Sequence, residues 1–226
     1  MDTVIIEDIP FVPDQKKLMS DLHIGKNEYD VEMFGRLCRE AQKLARPKFV
    51  YGVSFIEEKG MDFVVLDGIT FRSRVMSVNL SEVNRVFPLI ATCGKEIEEW
   101  SREITDFLQR YWGDKIKEAA LETAIEKGLR EINDRFQLGK TSHMSPGSIE
   151  DWPLSEQSCL FSLLGDEVAA IGVELTESFL MLPVKTVSRI LFTTEMNYQN
   201  CQLCNREKCP KRRLPYIPGL YERRYG

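Results

Sequence analysis

No apolar run in the 226-residue sequence approaches the roughly 18 residues that a membrane-spanning helix needs. The opening Met1-Asp2-Thr3-Val4 lacks a basic stretch followed by an apolar core, so no secretory leader is read there and a cytoplasmic protein is expected. A basic surplus is missing as well. Thirty Lys and Arg stand against 35 Asp and Glu, a net charge of -5, which argues against a general nucleic-acid binder. There is no internal repeat and no low-complexity tract. Cysteine is sparse and scattered over most of the chain, at Cys38, Cys93 and Cys159, which read as buried thiols behaving as small apolar residues. Trp100, Trp112 and Trp152 read as core or interface anchors.

The exception is the C-terminal end, where Cys201, Cys204 and Cys209 form C-x2-C-x4-C followed by Pro210. Thiolates this close in sequence usually converge on one metal or cluster, and a reducing compartment favours metal over disulfide. Three thiolates suit zinc with one further ligand, or an iron–sulfur cluster with a fourth ligand from elsewhere. Lys208, Lys211, Arg212 and Arg213 surround the cysteines and would offset their negative charge. The spacing is not the C-x3-C-x2-C of a radical enzyme.

Hydrophobic residues make up 43% of the chain, enough for a substantial core. Helical spacing of Met33, Leu37, Ala41 and Leu44 predicts a helix over Val31 to Ala45, ended by Pro47. Strand patterns follow at Phe49 to Phe55, Met61 to Leu66 and Ile69 to Phe71, continuing to Val75. The turn dipeptides Lys59-Gly60 and Asp67-Gly68 between them make this stretch an antiparallel meander. Val86 to Thr92 reads as a buried strand. A long helical stretch from Lys95 to Leu138 is expected to break near Tyr111 to Gly113. Its second half carries a wide apolar face (Ile116, Ala120, Ala124, Leu121, Ile125, Leu129, Ile132, Phe136), the mark of a helix packed on a sheet. Lys140 to Pro153 reads as loop, Ser155 to Leu164 as a helix capped by Ser155, Val168 to Leu175 as a strand, and Val187 to Phe192 as another. Irregular interleaving of strands and helices indicates an α+β fold with a mixed, mainly antiparallel sheet.

Two constellations outside the cysteines could carry chemistry. The loop His143-Met144-Ser145-Pro146-Gly147-Ser148 exposes backbone groups around a Pro-Gly pair. Glu118, Glu122 and Glu126 lie four apart on one helical face. Glu122, with a like charge on either side, would gain from a cation brought near it, although a solvated acidic stripe has the same spacing.

Leu175-Thr176-Glu177-Ser178-Phe179, followed by Met181, Pro183 and Val187-Ser188, closely resembles a signature of the activation domain of cobalamin-dependent methionine synthase. Ser145-Pro146-Gly147 looks like that family's ligand loop, Leu160 to Leu164 like the helix after it, and Leu121 to Glu126 like its Ala/Glu-rich helix. Ala91 to Glu98 is similar as well, so the resemblance spans Val86 to Thr193. It implies a mixed α/β domain that binds S-adenosylmethionine and docks over a corrin. There it supports one-electron reduction of oxidised cobalt and its trapping by methylation. On this resemblance Glu122, His143, Ser145, Pro146 and Gly147 form the ligand site. His143 stands where the family has a carboxylate-pairing arginine, Ser148 where it has a tyrosine, and Lys140 is the nearest cation in sequence that could make up the charge.

The resemblance implies an accessory protein rather than the synthase, since residues 1–85 contain no corrinoid, folate or homocysteine module. Asp21-Leu22-His23-Ile24-Gly25 misses the corrinoid-carrier spacing by one residue. The expected organisation is a helical and β-meander part at 1–85, an activation-domain-like core at 86–194 and a cysteine-rich basic tail at 195–226. Cobalamin would be carried by a partner, a corrinoid protein or a methionine synthase-like methyltransferase, with an electron donor besides. The tail would hold Cys201, Cys204 and Cys209 around an iron–sulfur cluster that passes electrons, or around a structural zinc. A second reading is a non-catalytic binding subunit of a one-carbon complex with a zinc tail. The residues by themselves name no catalytic group.

Overall fold

In the computed structural model, which describes residues 1–25, 27–195, 198–209 and 212–226, the apolar run at Val86 to Thr92 is the central strand. In chain order the elements are β1 (Asp2–Ile6), α1 (Gln15–Asp21), α2 (Glu28–Leu44), β2 (Lys48–Lys59), β3 (Phe63–Leu66), β4 (Ile69–Arg72), α3 (Arg74–Asn79) and β5 (Arg85–Thr92). They continue as α4 (Lys95–Glu103), α5 (Phe107–Phe136), β6 (Thr141–Met144), α6 (Gln157–Leu164), α7 (Glu167–Ala170), β7 (Glu174–Leu175), β8 (Met181–Leu182), β9 (Thr186–Thr193) and α8 (Leu220–Arg224). The main sheet runs β4-β3-β2-β5-β9-β6, antiparallel throughout, and β1 shares an edge of β2 with β3. β7 and β8 form a separate small ribbon.

Strand alternation divides the core into two layers. On β5, Phe87, Leu89 and Ala91 face α2, α4 and α5, together with Phe49 and Tyr51 of β2. Val86 and Ile90 face the other way, toward α3, α6 and α7 and the aromatic rings of Trp152, Tyr198 and Tyr225. The long helix α5 buries Ile116, Ala120, Ala124 and Ile132 against the sheet. At Gly128 the Phe49 ring lies directly on the helix backbone. Glu98 of α4 and Lys117 of α5 form an ion pair at 2.9 Å, although both side chains are less than a tenth exposed. No helix among the described residues is long and apolar enough to cross a membrane.

Several local expectations are corrected by tertiary packing. The helical stretch breaks at Ile104 to Asp106, where the Asp106 carboxylate caps α5 by accepting from the Gln109 amide at 2.9 Å. Gly113 is not a break, because it lets Ile104 and Trp100 approach the helix. Val75 lies in α3, capped by the Ser73 hydroxyl, rather than in a continued strand. The stretch from Val168 is helix α7 and a turn, with strand only at Glu174–Leu175. Val168 and Ile171 are buried three residues apart between Gly165 and Gly172, both at positive φ. Ser155 sits inside a 3-10 turn and caps nothing through its side chain. The first part of the Lys140–Pro153 stretch is strand β6, and strand β1 lies in what read as an acidic lead-in. Cys38 and Cys93 are buried as expected, and Cys159 is half-buried.

Candidate functional site

The His143–Ser148 loop takes its setting from β6. That strand pairs with β9 so that His143 stands opposite Leu191 and Met144 opposite Ile190. Continuing this register places Ser145 level with Arg189, where the β6 strand ends. Pro146 then sets the turn. Gly147, at φ +75°, completes it, donating its N–H to the Trp152 carbonyl at 2.8 Å. Proline followed by a positive-φ glycine is the signature of a type II turn. A side chain at Gly147 would also meet Leu154 Cδ1 at 2.9 Å.

The turn forms a wall of an open cavity of about 670 Å³. Ile125 and Leu129 of α5 supply an apolar floor, while His143, Ser145, Pro146 and Arg189 supply a polar side. The C-terminal segment closes over it through residues 198–201 and Arg213. Among the described residues the lining contains two arginines and no Asp or Glu. Across the turn lies a second cavity of about 870 Å³, lined by Gly147, Asp151, Cys204 and Tyr221.

Of the residues singled out in the sequence, His143, Ser145 and Pro146 line the first cavity, and Gly147 lines the second. Glu122 is exposed and lies beyond the cavity edge. It stands on the same helical stripe as Ile125 and Leu129, three and seven residues away. Glu118 is paired with Lys115 at 3.0 Å. Burial, and then the charges of Arg189 and Arg213, push the His143 imidazole down to about 3. The ring is therefore neutral near pH 7 and supplies no positive charge for a carboxylate.

The cation that sequence reasoning missed is Arg189. Lys140 instead donates to the Glu195 carbonyl at 3.2 Å on the surface. Arg189 is half-buried, and burial together with Arg213 lowers it to about 10. Its signal was a charge set inside the apolar run Val187 to Phe192, at a position whose neighbours on the same face, Val187 and Leu191, pack inward.

The cysteine segment is docked onto the domain. Ser142 Oγ donates to the Tyr198 carbonyl at 2.5 Å, and Tyr221 donates to Asp151 at 2.8 Å. The Tyr225 ring is buried in the core, and its backbone carbonyl accepts from Arg74 at 2.9 Å. Arg212 is engaged by the backbone of the cysteine loop. Its guanidinium donates to the carbonyls of Cys201 at 3.1 Å and Cys204 at 3.3 Å, and to that of Arg206, gathering the loop around one cation. Cys201 lines the first cavity, Cys204 the second, and Cys209 is half-buried. Among the described residues no three His, Cys, Asp or Glu side chains are grouped so as to hold a metal ion. Pro210 and Lys211 lie outside the described residues.

No family profile matches the chain, and no curated protein matches it. Among solved structures it is similar to the MetH reactivation domain bound to AdoHcy, with a TM-score of 0.60 and 16% sequence identity over 88% of this chain and 81% of that one. The α+β architecture with a mainly antiparallel sheet, as the motifs around Ser145 and Thr176 implied, is thus the fold of the MetH reactivation domain.

Proposed function

We propose that this protein is an accessory factor for corrinoid-dependent methyl transfer, binding S-adenosylmethionine or its demethylated product in the cavity beside the Ser145–Gly147 turn. The observation that carries this reading is the turn itself. In a fold shared with a domain solved with AdoHcy, it walls a cavity of about 670 Å³, a size suited to a nucleoside thioether. Ile125 and Leu129 offer the apolar surface that an adenine or ribose face covers. His143, held neutral, accepts or donates a single hydrogen bond there. Glu122, on the continuing stripe of α5, offers a carboxylate toward a sulfonium or amino group reaching past the cavity edge. The partner would carry the cobalamin, whose cobalt takes up one electron and the ligand's methyl group.

Calorimetry with S-adenosylmethionine and S-adenosylhomocysteine tests the reading. Saturable binding that is weakened about tenfold or more in Glu122→Gln supports it. Absence of binding at millimolar ligand overturns it. That outcome supports the second reading, a binding subunit that keeps the fold and has lost the ligand. The neutral His143 in place of the family's arginine favours this alternative.

Cys201, Cys204 and Cys209 belong to the same proposal as ligands of a metal or cluster. In favour stand three thiols in one short segment and a backbone already gathered by Arg212. A cluster at that place would supply low-potential electrons. Purification without oxygen followed by iron, sulfide and zinc analysis and a visible spectrum decides between the forms. Colourless protein with stoichiometric zinc supports the structural site, and protein containing neither metal overturns both.

A further inference from the structure

We propose that Arg189 and Arg213 form an anion clasp in this cavity, holding a carboxylate or phosphate group of the ligand and making the C-terminal cysteine segment part of the binding site. The proposal rests on reading the cavity as the ligand site, and it adds the chemistry by which that site is recognised.

The two guanidiniums come from different walls. Arg189 projects from β9, level with Ser145 by strand register, and Arg213 comes from the segment after the cysteines. Both line the same cavity, and among the described residues no acidic side chain lines it. The ion pairs formed among the described residues involve neither of them. Half-burying the Arg189 guanidinium without an acidic partner is unfavourable, and the exposed Arg213 beside it adds a like charge. Arg213 acts on both of its neighbours here, lowering Arg189 and His143. Every one of these penalties is relieved by an anion between the two arginines. The neighbouring hydroxyls of Ser145 and Ser148 are further donors around that position.

Arginine suits the task because its planar fork matches a carboxylate or phosphate with two parallel N–H bonds. An amino-acid carboxylate on a nucleoside thioether would lie in the clasp with its adenosyl part over Ile125 and Leu129. Because Arg213 follows Cys209 by four residues, occupancy of the clasp would also hold the cysteine loop against the sheet.

The test compares S-adenosylhomocysteine with 5′-methylthioadenosine, which keeps the nucleoside thioether and lacks the carboxylate. Inorganic pyrophosphate is a third probe. Each is titrated calorimetrically into wild type, Arg189→Met and Arg213→Met, with circular dichroism and melting to confirm folding. The expected result is S-adenosylhomocysteine binding at least tenfold tighter than methylthioadenosine, a loss of that preference in either variant, and unchanged methylthioadenosine binding. Arg189→Lys, which keeps the charge but not the fork, should recover part of the preference. Equal binding of the two nucleosides that neither variant alters would overturn the clasp and leave the adenosyl reading standing. If neither nucleoside binds but pyrophosphate binds wild type and not Arg189→Met, the clasp stands and the adenosyl reading fails. If no anion binds, the clasp is wrong.

Discussion

Substituting Gly128 by alanine tests the packing of α5 that positions the cavity floor. On helix propensity alone Gly128→Ala should stabilise by about 1 kcal/mol. The structure opposes this. An added Cβ would lie 2.3 Å from Phe49 Cγ and Cδ2, and 2.4 Å from Cε2. Carbon atoms in contact prefer about 3.5–4.0 Å, so helix and ring must separate by more than ~1 Å. The Phe49 ring is fully buried between β2 and α5 and has no open space to enter. Overpacking of this kind costs about 1–3 kcal/mol, and the rigid ring places it near the upper end. The net expectation is a loss of about 1–2 kcal/mol, or roughly 2–8 °C in melting temperature for a chain of this size. Gly113→Ala is the control on the same helix. There the nearest atom is the tip of the half-buried Ile104 side chain at 2.9 Å, and Trp100 stays at 3.6 Å or beyond. It should be neutral or stabilising by up to about 1 kcal/mol. Urea unfolding followed by tryptophan fluorescence reads both. A Gly128→Ala protein as stable as wild type, or more so, would refute the contact between Phe49 and the helix backbone.

Lys117→Met leaves the Glu98 carboxylate buried with only Arg102 at 3.6 Å, and should destabilise by about 3–5 kcal/mol in urea unfolding. The double variant Glu98→Leu/Lys117→Met should recover most of that loss, because no uncompensated charge remains. His143 is held near 3 in the folded protein against an ordinary value of 6.5. Below pH 6.5 the unfolded chain therefore binds a proton that the folded chain refuses. Stability falls as pH drops from about 6.5 toward 3, with this residue contributing a slope of up to about 1.4 kcal/mol per pH unit. His143→Gln should flatten the profile over that window, and an unchanged difference between the two proteins from pH 7 to pH 4 would contradict the assignment. Arg212→Ala removes the donor shared by the Cys201, Cys204 and Arg206 carbonyls. It should make the loop from Cys201 to Cys209 cleavable by low concentrations of protease while melting temperature shifts by no more than a few degrees.

Much of the scaffold is local in origin and was legible. The run Val86 to Thr92, the apolar face of α5 and the Asp67-Gly68 hairpin each follow from periodicity or turn chemistry within a dozen residues, and β5, the second half of α5 and the β3–β4 turn stand where expected. Misreadings arose where one local signal had two meanings. Gly113 looked like a helix breaker but serves a close approach, and Val168 to Leu175 looked like one strand but begins as a short helix between two positive-φ glycines, with strand only at Glu174–Leu175. The N-terminal strand β1 was hidden because a five-residue stretch carries too little pattern to separate it from a lead-in.

The site divides along the same line. The Ser-Pro-Gly turn was visible, since proline and glycine report backbone conformation directly. The cysteine spacing was equally plain, as was the resemblance through the motif around Thr176. What no local pattern carried is the meeting of His143, Arg189 and Arg213. Their convergence depends on the β6–β9 register and on the docking of the C-terminal segment through Tyr198, Tyr221 and Tyr225. A charge far away in sequence leaves no trace near the residue it will face. Periodicity records which side of an element is buried, whereas the register and the docked tail decide which buried groups share one cavity.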